Sequence, residues 1–390
     1  MNKENKHILH LLSWYPTPND PTRGNFCLRH IEAISLSCNS IVLIVYTDAN
    51  INKNRELNTE TVDNYTKITI QIKPFLSLFR PLNTLINKYK LFIAYNFGLK
   101  HIRKQHFNPD LVHLHVALPL GKIALYWKKR FKIPYVLSEH WSIYSPDDKR
   151  LKDKKIKKRL LKIAKNASAV TAVSQLLKKN MLSFGIKNNI HVIPNTIDIN
   201  LFHSIPKKQL PKKHILHISS LNNQEKNFSG ILNVINRLKE TRNDFVLNVI
   251  HDYDYEEYQS FITKNQLSEY IIFHGKKTME EIVTYYQSAD FLLMFSNFET
   301  FSCVVMEALA CGIPVVATNT GAIPEMLGNN RGFIVSPKDE EALFQKVNKM
   351  LDVYSTFSPE DLRQFIQKNY NQKTISTMFC QLYQQLLNHA

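Results

Sequence analysis

The chain has no apolar run of eighteen or more residues, so no part of it reads as a membrane-spanning helix. Its start, MNKENKHILHLLSWYPTPND, opens on basic residues but carries only a short apolar segment, and Trp14-Tyr15-Pro16 is no small-residue cleavage site. It reads as a first strand rather than a secretory leader. Cysteine is scarce. Cys27, Cys38, Cys303, Cys311 and Cys380 are odd in number and lack metal-like spacing, which argues against a disulfide scaffold and for a reduced, cytoplasmic protein without a metal site. There is no G-x-G-x-x-G fingerprint, no recognisable RNA- or DNA-binding module and no convincing covalent nucleophile. Acidic residues are few, 33 against 50 Lys and Arg, and the formal charge of +17 attracts anionic partners: a phosphate-rich substrate, an anionic membrane or nucleic acid. Without a nucleic-acid module, the last of these has only the charge behind it.

What is present is a chain of 390 residues, long enough for two domains, with a repeated strand–helix rhythm. In the first half, strands are expected at His7 to Leu12, Ile41 to Tyr46, Thr66 to Ile72, Asp110 to His115, Tyr135 to Glu139 and Ala169 to Val173. The alternation restarts at His214 with strands to Ser219, from Phe245 to His251 and from Ile271 to His274. Helices are expected from Phe228 to Lys239 and Met279 to Ala289. Between the halves, Leu201 to Lys213 holds Pro206, Pro211 and several lysines and suits a linker. The domain boundaries follow: 1–195, a linker at 196–212, and 213–372, with the apolar helix 373–390 at the end.

The most informative stretch is Phe298 to Glu325, FETFSCVVMEALACGIPVVATNTGAIPE. Glu299 and Glu307 stand with seven residues between them, the second inside an apolar helical run, and carboxylates are rarely buried without a partner. The helix is expected from about Ser302 to Ala310, ending at Gly312 and Pro314. Its N-terminus at Phe301, Ser302 and Cys303 presents backbone N–H groups that suit a phosphate, and the carboxylates suit hydroxyls. A sugar nucleotide meets both demands.

These residues, the paired Glu299 and Glu307 followed by ALACGIPVVAT and the closing Glu325, resemble the donor site of retaining glycosyltransferases of family 4. That resemblance implies the GT-B fold: α/β, with two doubly wound Rossmann-like domains facing across a cleft. It extends over nearly the whole chain. Gly24 and Asn25 resemble the glycine loop of the N-terminal domain; His115 in LVHLH and His140 in VLSEH occupy strands where the family has functional histidines. HVIPNTID resembles the hinge-side motif, with Asn195-Thr196 where most members have Asn-Gly. Glu225-Lys226 is kept, but Ser220 stands where an arginine is usual, so one of two cations for the donor pyrophosphate is missing. Gly275 matches a strand-Gly step beside the base pocket.

The resemblance implies that Glu307 binds ribose hydroxyls and Glu299 hydroxyls of the donor sugar. Lys226 and the amides of 301–303 then hold the pyrophosphate, and His115, His140 and Gly24 complete the cleft. The implied donor is a UDP- or GDP-linked sugar with no separate cofactor and no metal; the acid-loop spacing Asp252-x-Asp254 reads as a surface turn. The acceptor is expected to be a glycan or a lipid-linked sugar of envelope polysaccharide synthesis, and the last helix is expected to cross back onto the N-terminal domain. Two apolar and basic segments, Phe75 to Phe107 and Lys149 to Lys165, suggest docking on an anionic inner leaflet, although the second also reads as a helix packed through its leucines. Rival readings are another enzyme of the same fold, such as a sugar-nucleotide epimerase or phosphorylase, a non-enzymatic nucleic-acid binder, and a catalytically weak member that lost its arginine.

Overall fold

The structure is a computed structural model and describes residues 4–15, 24–146, 148, 150, 153–207, 210–252 and 254–388. The turns expected at Pro16, Pro18 and Pro21, the residues Lys149, Leu151 and Lys152 at the start of the second basic segment, and the centre of the Asp252-x-Asp254 loop lie outside them.

The chain divides into two units, Met1–Thr196 with Gln372–Ala390, and Ile197–Asn371. The strands of the first unit are β1 (Glu4–Leu12), β2 (Cys38–Thr47), β3 (Arg55–Val62), β4 (Tyr65–Ile72), β5 (Leu111–His115), β6 (Tyr135–Glu139), β7 (Ala169–Ala172) and β8 (Ile190–Val192). They form one sheet in the order β3-β4-β2-β1-β5-β6-β7-β8, parallel except for the β3–β4 hairpin. β5 and β6 are buried along their whole length, as a parallel sheet covered on both faces requires. β3 was not legible in advance. RELNTETV is polar and lies at the sheet edge, and the signal for it is the two-residue turn Asp63-Asn64, with Asp63 at φ 43°.

Strand order reverses between β1 and β5, and Ser13 N donates to His115 O at 3.3 Å across that point. Ligands of open α/β sheets bind at the carboxyl ends of strands at such reversals. The helix Gln372–Asn388 packs into this unit: Ile375, Phe379, Leu382 and Tyr383, at helical spacing, join Ile8, Ala33, Ile34, Leu111 and Val136 in one core.

The second unit has a six-stranded parallel sheet of β9 (Lys213–Ile218), β10 (Phe245–Ile250), β11 (Ile271–Gly275), β12 (Phe291–Met294), β13 (Val315–Thr318) and β14 (Gly332–Val335), in the order β11-β10-β9-β12-β13-β14. Its core gathers Ile215, Phe228, Ile231, Ile235, Leu247, Phe291, Leu293, Val316 and Val347. The reversal here is between β9 and β12.

The stretch 196–212 is not a free linker. Ile197 and Phe202 are buried, Ile197 N donates to Tyr370 O, and the Arg363 guanidinium donates to Ile199 O and Phe202 O at 2.8 and 2.7 Å.

Candidate functional site

In the second unit two loops leave the sheet at its reversal. After β9, Ser219 to Lys226 runs through Leu221 at φ 57° into a single-turn helix, Asn223–Lys226, which Asn222 caps by accepting from Gln224 N at 3.0 Å. After β12, Phe295 to Ser302 leads into the helix Cys303–Ala310. The loops are stitched together: Asn297 N donates to Glu225 O at 2.8 Å and Asn297 Nδ2 to Gln224 O at 3.2 Å. That pairing brings Lys226 Nζ to 2.7 Å from Glu299 Oε1, which also accepts from Ser296 Oγ at 2.9 Å. Burial works against the Lys226 charge, but the Glu299 carboxylate, with Glu225 and Cys303 near by, more than offsets it and raises the ammonium above its usual range. Lys226 is a fixed cation.

Glu307 lies on the helix after this loop and is buried; the Tyr286 hydroxyl is 3.0 Å from its Oε2 and 3.2 Å from Val304 O. Tyr286 and Ser296 were not legible as site residues, since one reads as an ordinary core tyrosine and the other as a loop serine.

Ser302 precedes the helix in the left-handed region, φ 75°, with no side-chain cap. Phe301 points its ring into the core beside Tyr370, so only its backbone remains for a ligand. Cys303 is half-buried. Gly321 fits against this loop because it has no Cβ: at φ +57°, a Cβ would stand 2.9 Å from Glu299 O.

Ser220 lines a cavity of about 750 Å³ with Leu221, Asn222, Gln224 and the carboxylates of Glu225, Asp254 and Glu257; no cation is among the residues lining it. Its position gives it acidic neighbours rather than a replacement for the absent arginine. Gly275 ends β11 at φ +66° in open space.

In the first unit the reversal is filled with imidazoles. His115 Nε2 is 3.3 Å from His10 Nδ1, and His10 Nε2 is 3.3 Å from Ser40 Oγ. His113 is held on both nitrogens, by Ser138 Oγ at 2.7 Å and the Tyr383 hydroxyl at 2.6 Å, and is a structural residue. His140 Nδ1 meets Asn195 Oδ1 at 3.2 Å, and His30 Nε2 meets Pro194 O at 2.9 Å. Burial drives all of these rings towards the neutral form, with repulsion between neighbouring histidines adding to it for His10, His113, His115 and His140. The pKa of His10 falls to about 3 and that of His30 to about 4.

Asn25 opens the helix Asn25–Ser35. Gly24 before it is required by its own chain, because a Cβ there would meet Trp14 O at 2.6 Å. Cys27 and His30, one helical turn apart on that helix, were missed from sequence although their i, i+3 spacing puts them on one face. Behind them Glu139 is buried, which pushes its carboxyl up to about 7 against the opposing bonds from the Tyr144 hydroxyl and Ala117 N–H.

Residues 198–372 match the family model for glycosyl transferases group 1, and residues 64–201 match that for glycosyltransferase family 4. An uncharacterized glycosyltransferase of Methanocaldococcus jannaschii is 27% identical over 309 residues, covering 78% of this chain and 79% of its own. A putative teichuronic acid biosynthesis glycosyltransferase of Bacillus subtilis is 25% identical over 263 residues, 64% of each chain. The solved structure of HepE from Anabaena, in complex with UDP and glucose, covers 97% of this chain and 100% of its own at a TM-score of 0.72 and 18% identity, a likeness of fold. With both family models matched in order along the chain and GT-B architecture in its structural neighbours, the chain belongs to the family 4 glycosyltransferases and is a glycosyltransferase of GT-B fold.

Proposed function

We propose that the enzyme moves a sugar from a UDP- or GDP-linked donor, with retention, onto a glycan or lipid-linked acceptor of envelope polysaccharide synthesis. The observation that carries this reading is the Lys226–Glu299 pair beside the buried Glu307 at the reversal of the second sheet. Lys226 offsets the negative charge that grows on the departing diphosphate, and the first turn of the helix Cys303–Ala310 adds its N–H groups. Glu299 accepts from hydroxyls of the donor sugar, and Glu307, oriented by Tyr286, from those of the ribose. His115, His140 and Asn195, which the family resemblance also gives to the donor, lie in the first unit, where His140 Nδ1 meets Asn195 Oδ1. Retention follows the family resemblance. The UDP complex of the HepE neighbour favours a uridine donor, and the B. subtilis relative favours an envelope acceptor.

The lipid-linked acceptor and work at a membrane surface draw on the helix Arg80–Lys104. Leu78, Leu82, Leu85, Tyr89 and Ile93 recur at helical spacing and are exposed, with Phe79 and Leu76 beside them and Arg80, Lys88 and Lys90 near by. Phe92 of the same helix lies edge-on to Tyr126, which lines a groove with Lys122, Lys129, Arg159 and Lys162. The helix Lys154–Asn166 buries Leu160, Ile163 and Ala164 and leaves its lysines outside, so it contributes charge and not an apolar face. No helix among the described residues is long and apolar enough to cross a membrane.

Thermal unfolding with UDP, GDP and their sugars tests the donor, since a ligand of the folded state raises the midpoint. A shift with one base that disappears in Glu307→Ala supports the assignment; a shift unchanged by that substitution overturns it. A second reading is a member with weak turnover, favoured by Ser220 and its acidic neighbours. Donor binding without measurable transfer is its signature.

A further inference from the structure

Cys27 Sγ and one ring nitrogen each of His115 and His140 lie within 4.8 Å of one another, all three residues buried in the first unit. His115 Nδ1 and His140 Nε2 have no hydrogen-bond partner among the described residues. The opposite nitrogen fixes the tautomer of His140. His140 Nδ1 faces the Asn195 amide oxygen, which can only accept, so Nδ1 carries the proton and Nε2 a bare lone pair. His115 Nε2 is joined to His10 Nδ1, and His10 Nε2 to Ser40 Oγ, so the opposite edge of the His115 ring is held as well. Both rings are held on one nitrogen, while the other has no hydrogen-bond partner among the described residues. That is how metal-ligating histidines are oriented.

We propose that Cys27, His115 and His140 form a binding site for a borderline-soft divalent cation of the Zn²⁺ type. Two imidazoles and a thiolate are the donor set such ions select over Mg²⁺ or Ca²⁺, which take oxygen ligands. Zn–N and Zn–S bonds of about 2.0 and 2.3 Å set ligand atoms roughly 3.5 Å apart in a tetrahedron, so closing the site takes side-chain movements of about 1 Å. The thiol gives up its proton on binding, and three protein ligands leave a fourth position. His30, whose ring centroid is 5.0 Å from that of His140, lies three residues after Cys27 on the same helix, and its Nδ1 has no hydrogen-bond partner among the described residues. Sequence spacing gave no hint of the site, because its three ligands come from a helix and from the ends of two strands. The metal takes two histidines that the family resemblance also gives to the donor, so the site is to be tested without nucleotide. The inference does not depend on that reading.

The test is a Co²⁺ titration of the metal-free full-length protein without nucleotide, followed by equilibrium dialysis against Zn²⁺. One Co²⁺ per chain is expected, with tetrahedral d–d absorption and a thiolate-to-cobalt charge-transfer band. Cys27→Ser is expected to remove the charge-transfer band. His140→Gln is expected to weaken Zn²⁺ binding at least 100-fold, and Asn195→Ala, which removes only the orienting oxygen, by about 10- to 100-fold. Absence of the charge-transfer band in the unsubstituted protein overturns the proposal without recourse to any variant, as does Zn²⁺ binding that folded Cys27→Ser and His140→Gln leave unchanged. Donor-induced thermal shifts measured on the same metal-free preparation separate failure of this proposal from failure of the donor assignment.

Discussion

Lys226 Nζ sits 2.7 Å from Oε1 of Glu299, a residue 73 positions further along the chain, and the pair is held by hydrogen bonds between the two loops that carry it. The side chains retain 20% and 10% of their exposure, enough for a ligand to reach them and too little for water to screen the pair fully. Charge is thus placed before a donor arrives, the condition under which electrostatic stabilisation acts most strongly.

Lys226→Met is expected to lower kcat by about 100- to 1000-fold, the loss typical of one pre-organised donor, with a smaller change in KM. Steady-state release of the nucleoside diphosphate measures it. A rise in KM at constant kcat would show that Lys226 only helps to bind the ground state.

Tyr286→Phe removes the hydroxyl that meets Glu307 and leaves the ring in the core. Nucleotide affinity is expected to fall about three- to tenfold, from loss of one hydrogen bond to a carboxylate. Isothermal titration with the nucleotide identified by the thermal screen reads it. Glu307→Ala is expected to abolish detectable binding.

Gly321→Ala adds a Cβ 2.9 Å from Glu299 O at a positive φ. It is expected to destabilise the protein by about 1–3 kcal/mol and to lower activity, because relief of the clash moves the Glu299 loop. Chemical denaturation and the transfer assay are to be read on the same preparation.

Ser220→Arg is expected to tighten nucleoside diphosphate binding by about tenfold if the side chain reaches the pyrophosphate. Weaker or unchanged binding would show that the nearby Glu225, Asp254 and Glu257 hold the guanidinium away.

Stability of the metal-free protein is expected to fall as pH drops below about 6.5. Burial depresses the pKa of His10 to about 3, and those of His30 and His217 to about 4, so these rings stay neutral in the folded state while the unfolded chain takes up protons. The stability they contribute is fully present above pH 6.5 and is lost on acidification towards the folded values, about 1.4 kcal/mol for each ring at pH 5.5. Glu139, raised to about 7, acts oppositely: it stabilises at low pH and loses that contribution as pH rises through 7, one proton against those of the three rings and of His113, His115 and His140, which burial also holds neutral. Urea midpoints at pH 7.5 and 5.5 check the balance.

The sequence by itself determined most of the elements, the two α/β units and the loop and helix that carry Glu299 and Glu307, because strand–helix alternation, Gly312, Pro314 and the spacing of the two glutamates are local signals. It also made Ser220 conspicuous. Edge strand β3 escaped because a polar strand has no burial pattern to reveal it, and the stretch 196–212 looked free because its restraints, from Arg363 and Tyr370, arrive from far along the chain. Only the tertiary structure decided that Lys226 is paired with Glu299, that Tyr286 orients Glu307, and that His113 is bound on both sides while His115 and His140 each have one nitrogen without a partner among the described residues. The physical reason is the same for each. Parallel strands bring residues from distant positions to one end of a sheet, and which nitrogen or oxygen is left without a partner depends on neighbours that no sequence window contains.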